Sequence, residues 1–470
     1  MIKRTLADVA AMSGGTLSGD ADGGQLIQGV SKDTRTIEQG NLYVPLIGEA
    51  FDGHAFVQSA FEKGAAASFW QKDHEHPPTG VPLIIVEDTL AALQQLAKAY
   101  RHQLDVRVVG ITGSNGKTTT KDMTAAVLST RFQVHKTLGN YNNHIGLPLT
   151  MLQLSEETQI AVLEMGMSGR WEIDFLSRLA EPEIVVITNI GESHLLQLGS
   201  RTEIARAKTE ILAGLQEDGV LVYNGDEPLI EEVLPELDEP GRRLGKSFRR
   251  VRFGAGTDND LYPLEIRMEG KGTYFTVNSD KDTTVYIPLL GGHNVINALA
   301  ALAVGKHFGL RNDTMAEGLR SLVMTGMRIE VSETPSGVTI LNDAYNASPT
   351  SMRAAIDLLQ ELQAKGRKFA VLADMLELGE QEADFHREIG RHLNPAHVHT
   401  VYTYGPLGAY IAEGAREKFP QDRVRYFEEK EQLAHTLSAA TADGDVVLIK
   451  GSRGMKMEQV AARLMQVGGV

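Results

Sequence analysis

The chain of 470 residues contains no cysteine. That excludes disulfides, thiolate zinc sites and cysteine nucleophiles together. It has no unbroken apolar run of about 18 residues, so no membrane span is expected. Basic residues are in deficit: Lys and Arg total 46 against 61 Asp and Glu, for a formal net charge of -15. Such a chain repels phosphate polymers and anionic membranes at long range, which argues against nucleic acid as a partner. A nucleotide remains open to it, because a pocket can be locally basic or offer main-chain amides. The opening MIKRTLADVAAM has too short an apolar run for a signal peptide, and a cytoplasmic enzyme is the expectation.

What the chain does have is length and alternation. At roughly 150 residues per domain, its length predicts about three domains. Residues 1–86 mix β-rich runs at 41–47 and 81–86 with glycine turns. A helix is expected after Asp88, its candidate N-cap, with Leu90, Leu93, Ala97 and Tyr100 on one face. Residues 106–112, 159–164 and 184–189 read as buried strands. Helical stretches such as 118–130 and 201–212 lie between or after them, which predicts βαβ units and a mainly parallel sheet. Residues 274–277 and 284–288 read as alternating β, and GGHNVINALAALAVGKHF as a glycine turn leading into an apolar helix. After 325 the alternation restarts. Strands are expected near 338–341, 369–373, 399–404 and 446–449, and helices near 352–362 and 384–393, a doubly wound pattern. The predicted architecture is α/β in three domains, 1–86, 87–325 and 326–470.

The sharpest local feature is VVGITGSNGKTT, in which a buried strand runs through a glycine loop into a helix. Small residues let the main chain wrap a polyphosphate with its N–H groups inward, and the helix adds its positive end. Gly113, Ser114, Asn115, Gly116, Lys117, Thr118 and Thr119 form this candidate loop. Lys117 is placed for the outer phosphates and Thr118 for magnesium. The pattern departs from a strict Walker A loop, which needs glycine at 111 where this chain has Ile111. Glu164 closes a buried strand, on the edge where open α/β sheets bind ligands, and is a candidate Mg²⁺ ligand. The alternative is a carboxylate capping the glycine turn that follows. His194 lies after another buried strand and could meet a second metal or the transferred phosphate; a structural histidine is the equal alternative. Lys208, on a helical stretch, reads by itself as a solvated lysine. The cluster Asn140, Asn142, Asn143 and His144 could line a phosphate pocket or simply form an Asn-rich turn.

Nine segments occur in order: TGSNGKTTT, NYNNHIGLP, EMGMSG, NIGESHL, ARAKTEIL, GGHNVINALAA, LNDAYNASPTSMRAA, DMLELG and KGSRGMKME. Together, over nearly the whole chain, they resemble the Mur ligase family of peptidoglycan synthesis. The resemblance implies an ATP-dependent, ADP-forming carboxylate–amine ligase that works through an acyl phosphate. It implies an N-terminal UDP-sugar domain, a central P-loop-type ATPase domain and a C-terminal Rossmann-like domain. It assigns ATP to residues 113–119, to Asn294 and Asn297 near the adenine, and to Arg328 and Asp343 from the C-terminal side. Thr118 and Glu164 would serve one Mg²⁺ and His194 the other. Lys208 matches a lysine that joins the metal set in several relatives when carbamylated. Lys117, Glu164, His194 and Lys208 form the implied catalytic group. Ser31, Asp33 and Arg35, then Asn142, Asn143, Tyr345 and Asn346, fall on the substrate side. The segments DAYNASPTSM and ADMLELGE point to the member that adds D-alanyl-D-alanine to a UDP-N-acetylmuramoyl-tripeptide, as a monomer. Two small departures stand out: Ser348 where the family often has Asn, and Ala373 where Gly often precedes DMLELG. A folylpolyglutamate synthase-like ligase, another Mur-type ligase and a non-catalytic ATP switch are the competing readings.

Overall fold

The computed structural model describes residues 1–470 apart from 20, 239–244, 246, 326–329 and 467–470. The chain is α/β throughout, with three main sheets. The central one has six parallel strands. Their spatial order is Phe248–Phe253, Gly219–Asn224, Ile184–Ile187, Arg107–Thr112, Ile160–Glu164, Val134–Lys136. Successive residues on these strands enter different cores. Val108, Ala161, Leu163, Val185 and Ile187 join one cluster, while Val109, Ile111, Ile160, Val162, Ile184 and Val186 join the other. Both faces are therefore covered, which is why the strands read as continuous apolar runs. The helix Gly292–His307, rich in buried alanine, packs closely on the helix Lys117–Leu128. An antiparallel meander (Pro263–Glu269, Gly272–Val277, Asp280–Ile287) leads into Gly292–His307.

The N-terminal sheet has five short strands, and three of its four pairings are parallel. Asp88 caps the helix Thr89–His102, accepting from the Ala91 N–H at 2.7 Å. This helix packs against both Leu6–Ser13 and Gly146–Leu152, and the Ile2 N–H donates to the Leu152 carbonyl at 2.7 Å. One apolar cluster consequently runs from Ile2 through Phe69 and Leu96 to Leu234. The C-terminal sheet is ordered Glu330–Glu333, Thr339–Asp343, Val446–Lys450, Lys368–Ala373, Thr400–Tyr404, Val424–Phe427. Only its first strand is antiparallel. The buried residues of its two core clusters all come from Val338 onward, with Val331 packed against one of them.

Some expected elements are shorter. The run 41–47 contributes only Leu42–Tyr43 to the sheet, because Pro45 has no N–H to pair and its carbonyl turns to the Thr89 hydroxyl at 2.7 Å. The helix expected over 201–212 is α only over Arg201–Thr209 and tightens to a 3₁₀ turn over Glu210–Gly214. There Ser177 takes part in the chain's hydrogen bonding by donating to the Ile211 carbonyl and accepting from the Gly214 N–H. No described helix is long and apolar enough to cross a membrane.

Candidate active site

Strand Arg107–Thr112 delivers the loop 113–116 to the carboxyl edge of the central sheet, and helix Lys117–Leu128 carries the chain away. Two glycines are required there. Gly113 has φ 148° and a side chain on it would begin 1.8 Å from Thr188 Oγ1. Gly116 has φ 79° and would begin 2.5 Å from Asn297 Oδ1. The next strand end steadies the loop. The Ser114 N–H donates to the Asn189 carbonyl (3.0 Å), the Asn115 N–H to Asn189 Oδ1 (2.9 Å) and the Thr188 hydroxyl to the Asn115 carbonyl (2.6 Å). Lys117 curls back so that its ammonium donates to the Gly113 and Ser114 carbonyls at 2.7 and 3.2 Å.

Glu164, 2% exposed, receives two side-chain hydrogen bonds. The Thr118 hydroxyl donates to one oxygen and Asn142 Nδ2 to the other, both at 2.8 Å. This is a fit test for magnesium. Neighbouring ligands of an octahedral Mg²⁺ lie about 3 Å apart given its short metal–oxygen distances, and the Thr118–Glu164 oxygen pair already has that spacing. Among the described residues, Ser114 Oγ, Asn115 Nδ2 and Ser193 Oγ are buried here without a hydrogen-bond partner. Buried polar atoms are normally paired, so these mark where a polar ligand belongs.

A cavity of about 330 Å³ opens over this edge. Of the predicted residues it gathers Ser114, Asn115, Gly116, Lys117, Thr119, Asn142, Glu164, Asn294, Asn297, Asp343, Tyr345 and Asn346. Gly113 and Thr118 lie just behind it, bonded to Lys117 and Glu164. The C-terminal sheet supplies the far wall, where buried Lys450 donates to Asp343 Oδ2 at 2.5 Å and to the Asn346 carbonyl at 3.0 Å.

His194 and Lys208 do not line the cavity but sit close enough to Lys117 to feel its charge. Burial, then the positive charges of Lys208 and Lys117, push the His194 imidazole down to about 4. Lys208, which by itself read as solvated, is instead 1% exposed, because its helix packs it into the interior, and its side chain makes no hydrogen bond or ion pair among the described residues. Burial, then Lys117, holds its amine well below the usual lysine range. Other predicted residues stand apart. Asn143 Oδ1 accepts from the Gly146 N–H at 2.8 Å, where the helix Gly146–Leu152 starts. Ser31, Asp33 and Arg35 form an N-terminal turn with Arg35 forked onto Asp33, whose carboxyl is held at about 2 chiefly by that bond. Arg328 lies outside the described residues.

Sequence reasoning missed the support for this edge. Thr188 and Asn224 follow or end parallel strands, a position that could have flagged them. Glu192 and Glu377 lie within the segments NIGESHL and DMLELG, but nothing local assigned them a role. Glu192 accepts from the Thr350 N–H and hydroxyl (3.2 and 2.7 Å), at the first turn of helix Pro349–Glu361. The Ser348 hydroxyl donates to Asn115 Oδ1 at 3.2 Å, and Glu377 reaches His194 at 3.2 Å. These contacts fasten the C-terminal sheet over the loop. The one grouping of metal-ligand type among the described residues, Asp52, His54 and His74, lies elsewhere. There His54 is already used by Asp52 (2.7 Å) and by the Gln71 N–H (3.3 Å).

Residues 26–101, 111–305 and 327–453 match, respectively, the Mur ligase family catalytic domain, the Mur ligase middle domain and the Mur ligase glutamate ligase domain. The UDP-N-acetylmuramoyl-tripeptide–D-alanyl-D-alanine ligase of Bacillus subtilis is 52% identical over 99% of both chains. Among solved structures, MurF from Acinetobacter baumannii matches with TM-score 0.87 at 29% identity, covering 99% of both chains. MurF from Thermotoga maritima in complex with ADP matches with TM-score 0.81 at 30% identity, over 93% of this chain and 97% of that one.

Proposed function

Because the chain belongs to the Mur ligase family, we infer that it uses ATP to join D-alanyl-D-alanine to UDP-N-acetylmuramoyl-tripeptide. The observation that carries this reading is the shared cavity. A phosphate loop and a buried carboxylate form one wall, and Asp343, Tyr345 and Lys450 of the C-terminal sheet form the other. A ligase that activates an acid with ATP needs both halves, one to hold the triphosphate and one to close over a product that water would destroy.

The tripeptide carboxylate attacks the γ-phosphorus; the new O–P bond forms as the bond to the β-phosphate oxygen breaks and ADP leaves. Lys117, the N–H groups at the start of helix Lys117–Leu128 and the unpartnered Ser114 Oγ and Asn115 Nδ2 hold the phosphates and meet the charge that develops, while the Ser114 and Asn115 N–H groups are held by Asn189. The neutral amine of D-alanyl-D-alanine then adds to the acyl carbon, and the tetrahedral adduct loses an amine proton to solvent and expels phosphate to leave the amide. Thr118 and Glu164 are the residues to hold one Mg²⁺ and His194 a second. When bound, such ions offset phosphoryl charge. Asn294 and Asn297 suit the adenine side. Arg328 and Asp343 suit the ribose and phosphates, and Asn142, Asn143, Tyr345 and Asn346 the peptide. Ser31, Asp33 and Arg35 suit the UDP-sugar. The three domains are taken as 1–86, 87–325 and 326–470, in a cytoplasmic monomer.

Lys208 belongs to the same group. A buried amine held well below its usual range gives up its proton more readily, and its neutral form adds to carbon dioxide, losing a further proton to give an anionic carbamate near His194. Carbon-13 bicarbonate would then give a carbamate resonance that Lys208→Met lacks; identical spectra would discard this step.

The central test is product mass after incubation with ATP, D-alanyl-D-alanine and UDP-muramoyl-tripeptides that differ in the third residue. One of them is expected to gain the dipeptide, with ¹⁸O passing from the tripeptide carboxylate to phosphate. Product without isotope transfer would exclude the acyl phosphate, and no product with any tripeptide would exclude the substrate.

A further inference from the structure

Two charged residues on the phosphate-loop helix are buried and have no part in the chemistry above. The side chains of Lys121 and Asp122 are both 0% exposed. Lys121 lies one turn after Lys117 and Thr118. Its ammonium donates to the Thr137 carbonyl at 2.8 Å and to the Thr325 hydroxyl at 3.3 Å, and stands 3.4 Å from Asp122. Asp122 accepts from Lys136 (2.7 Å), from the Thr325 N–H (2.8 Å) and from the Thr325 hydroxyl (3.1 Å). Thr137 is itself fully buried, and its hydroxyl accepts the Glu164 N–H at 3.0 Å. An unbroken chain of hydrogen bonds therefore runs from Thr325 through Lys121 and Thr137 to the main chain of Glu164.

Burying an ion pair gains little net stability, because desolvation offsets the attraction, and an apolar pair of equal volume often does as well. Burial already holds the Lys121 ammonium below the usual lysine range. The pair is better explained by what it holds in place. We propose that Lys121 is a positioning residue, fixing the strand end that presents Glu164 by clamping Thr137, while Asp122 and Thr325 fix Lys121. The proposal rests on the reading of Glu164 as the carboxylate that meets magnesium. Groups that orient a metal's ligands typically change metal affinity by about 10- to 100-fold when removed.

The test is calorimetric binding of ADP to the full chain, with and without Mg²⁺. Lys121→Met keeps most of the side chain's length but removes the donors. It is expected to weaken ADP binding about tenfold with Mg²⁺ and to leave metal-free ADP unchanged, with Lys121→Arg recovering part of the loss. Thr137→Val removes only the acceptor for the Glu164 N–H and is expected to show the same selective loss. It decides the matter if Lys121→Met does not fold. Glu164→Gln is the reference: if it binds ADP with Mg²⁺ as the unaltered chain does, the reading of Glu164 fails and the proposal with it. If Glu164→Gln shows the loss while Lys121→Met and Thr137→Val do not, the proposal alone fails. Equal losses with and without Mg²⁺ would mean the loop itself had collapsed and would also overturn it.

Discussion

Lys117 spends its ammonium on the carbonyls of its own loop, at 2.7 and 3.2 Å. A triphosphate would offer it better acceptors, so the side chain is poised to exchange partners on binding. Lys117→Met is expected to lower turnover by roughly 10²–10³-fold, the scale of removing one donor aimed at developing charge. Stopped assays at saturating ATP would show it, and turnover within a factor of two of the unaltered chain would rule out this role. The loop was legible from sequence because all its parts are contiguous and each residue type has one physical reason to be there. Asn189 and Thr188, which hold that loop, come from the end of a neighbouring strand, and Glu192 and Glu377 act across to or from the C-terminal sheet. Asn189, Glu192 and Glu377 fall within NIGESHL and DMLELG, but no local pattern gives them these partners, because what selects them is a contact that exists only after folding. Asn142 and Asn143 make the point within one turn. The first bonds Glu164 in the cavity, and the second accepts from the main chain where the next helix starts.

Elements were legible where burial repeats along the chain. The strands Arg107–Thr112, Ile160–Glu164 and Ile184–Ile187 are apolar on both faces. The edge strand Val134–Lys136 is half-buried along its length and carries no such signature. Helix Pro349–Glu361 begins earlier than its apolar pattern, because Ser348 caps it and Pro349 opens it before Met352 reaches the core. Between elements, Glu183 joins the first residue of one strand to the last of a helix. It accepts from Arg107 twice at 2.6 Å and pairs with His307 at 2.8 Å. Arg107 above all holds the Glu183 carboxyl at about 2, below its usual 4.5. The unfolded chain therefore binds the proton first as pH falls, and this cross-link's contribution is complete above 4.5 and fades toward 2. Urea unfolding of Glu183→Gln against the unaltered chain should show a stability gap at pH 6 that narrows by pH 3.5. A gap of the same size at both values would contradict the assignment.

At the scale of the molecule, the doubly wound C-terminal unit could be read from the restart of strand–helix alternation, but the way the units share their interiors could not. The helix Thr89–His102 is amphipathic with respect to two neighbours at once, a property that a one-dimensional pattern does not resolve. The apolar cluster running from Ile2 to Leu234 has a thermal consequence. Since the first part of the chain cannot lose its interior without opening the second, heating should melt the two as one cooperative block. The C-terminal clusters share no residue with that one, so that portion should melt on its own. Differential scanning calorimetry is expected to resolve two endotherms, drawn closer together by a nucleotide that bridges the seam. Three endotherms would show that the shared interior is not cooperative.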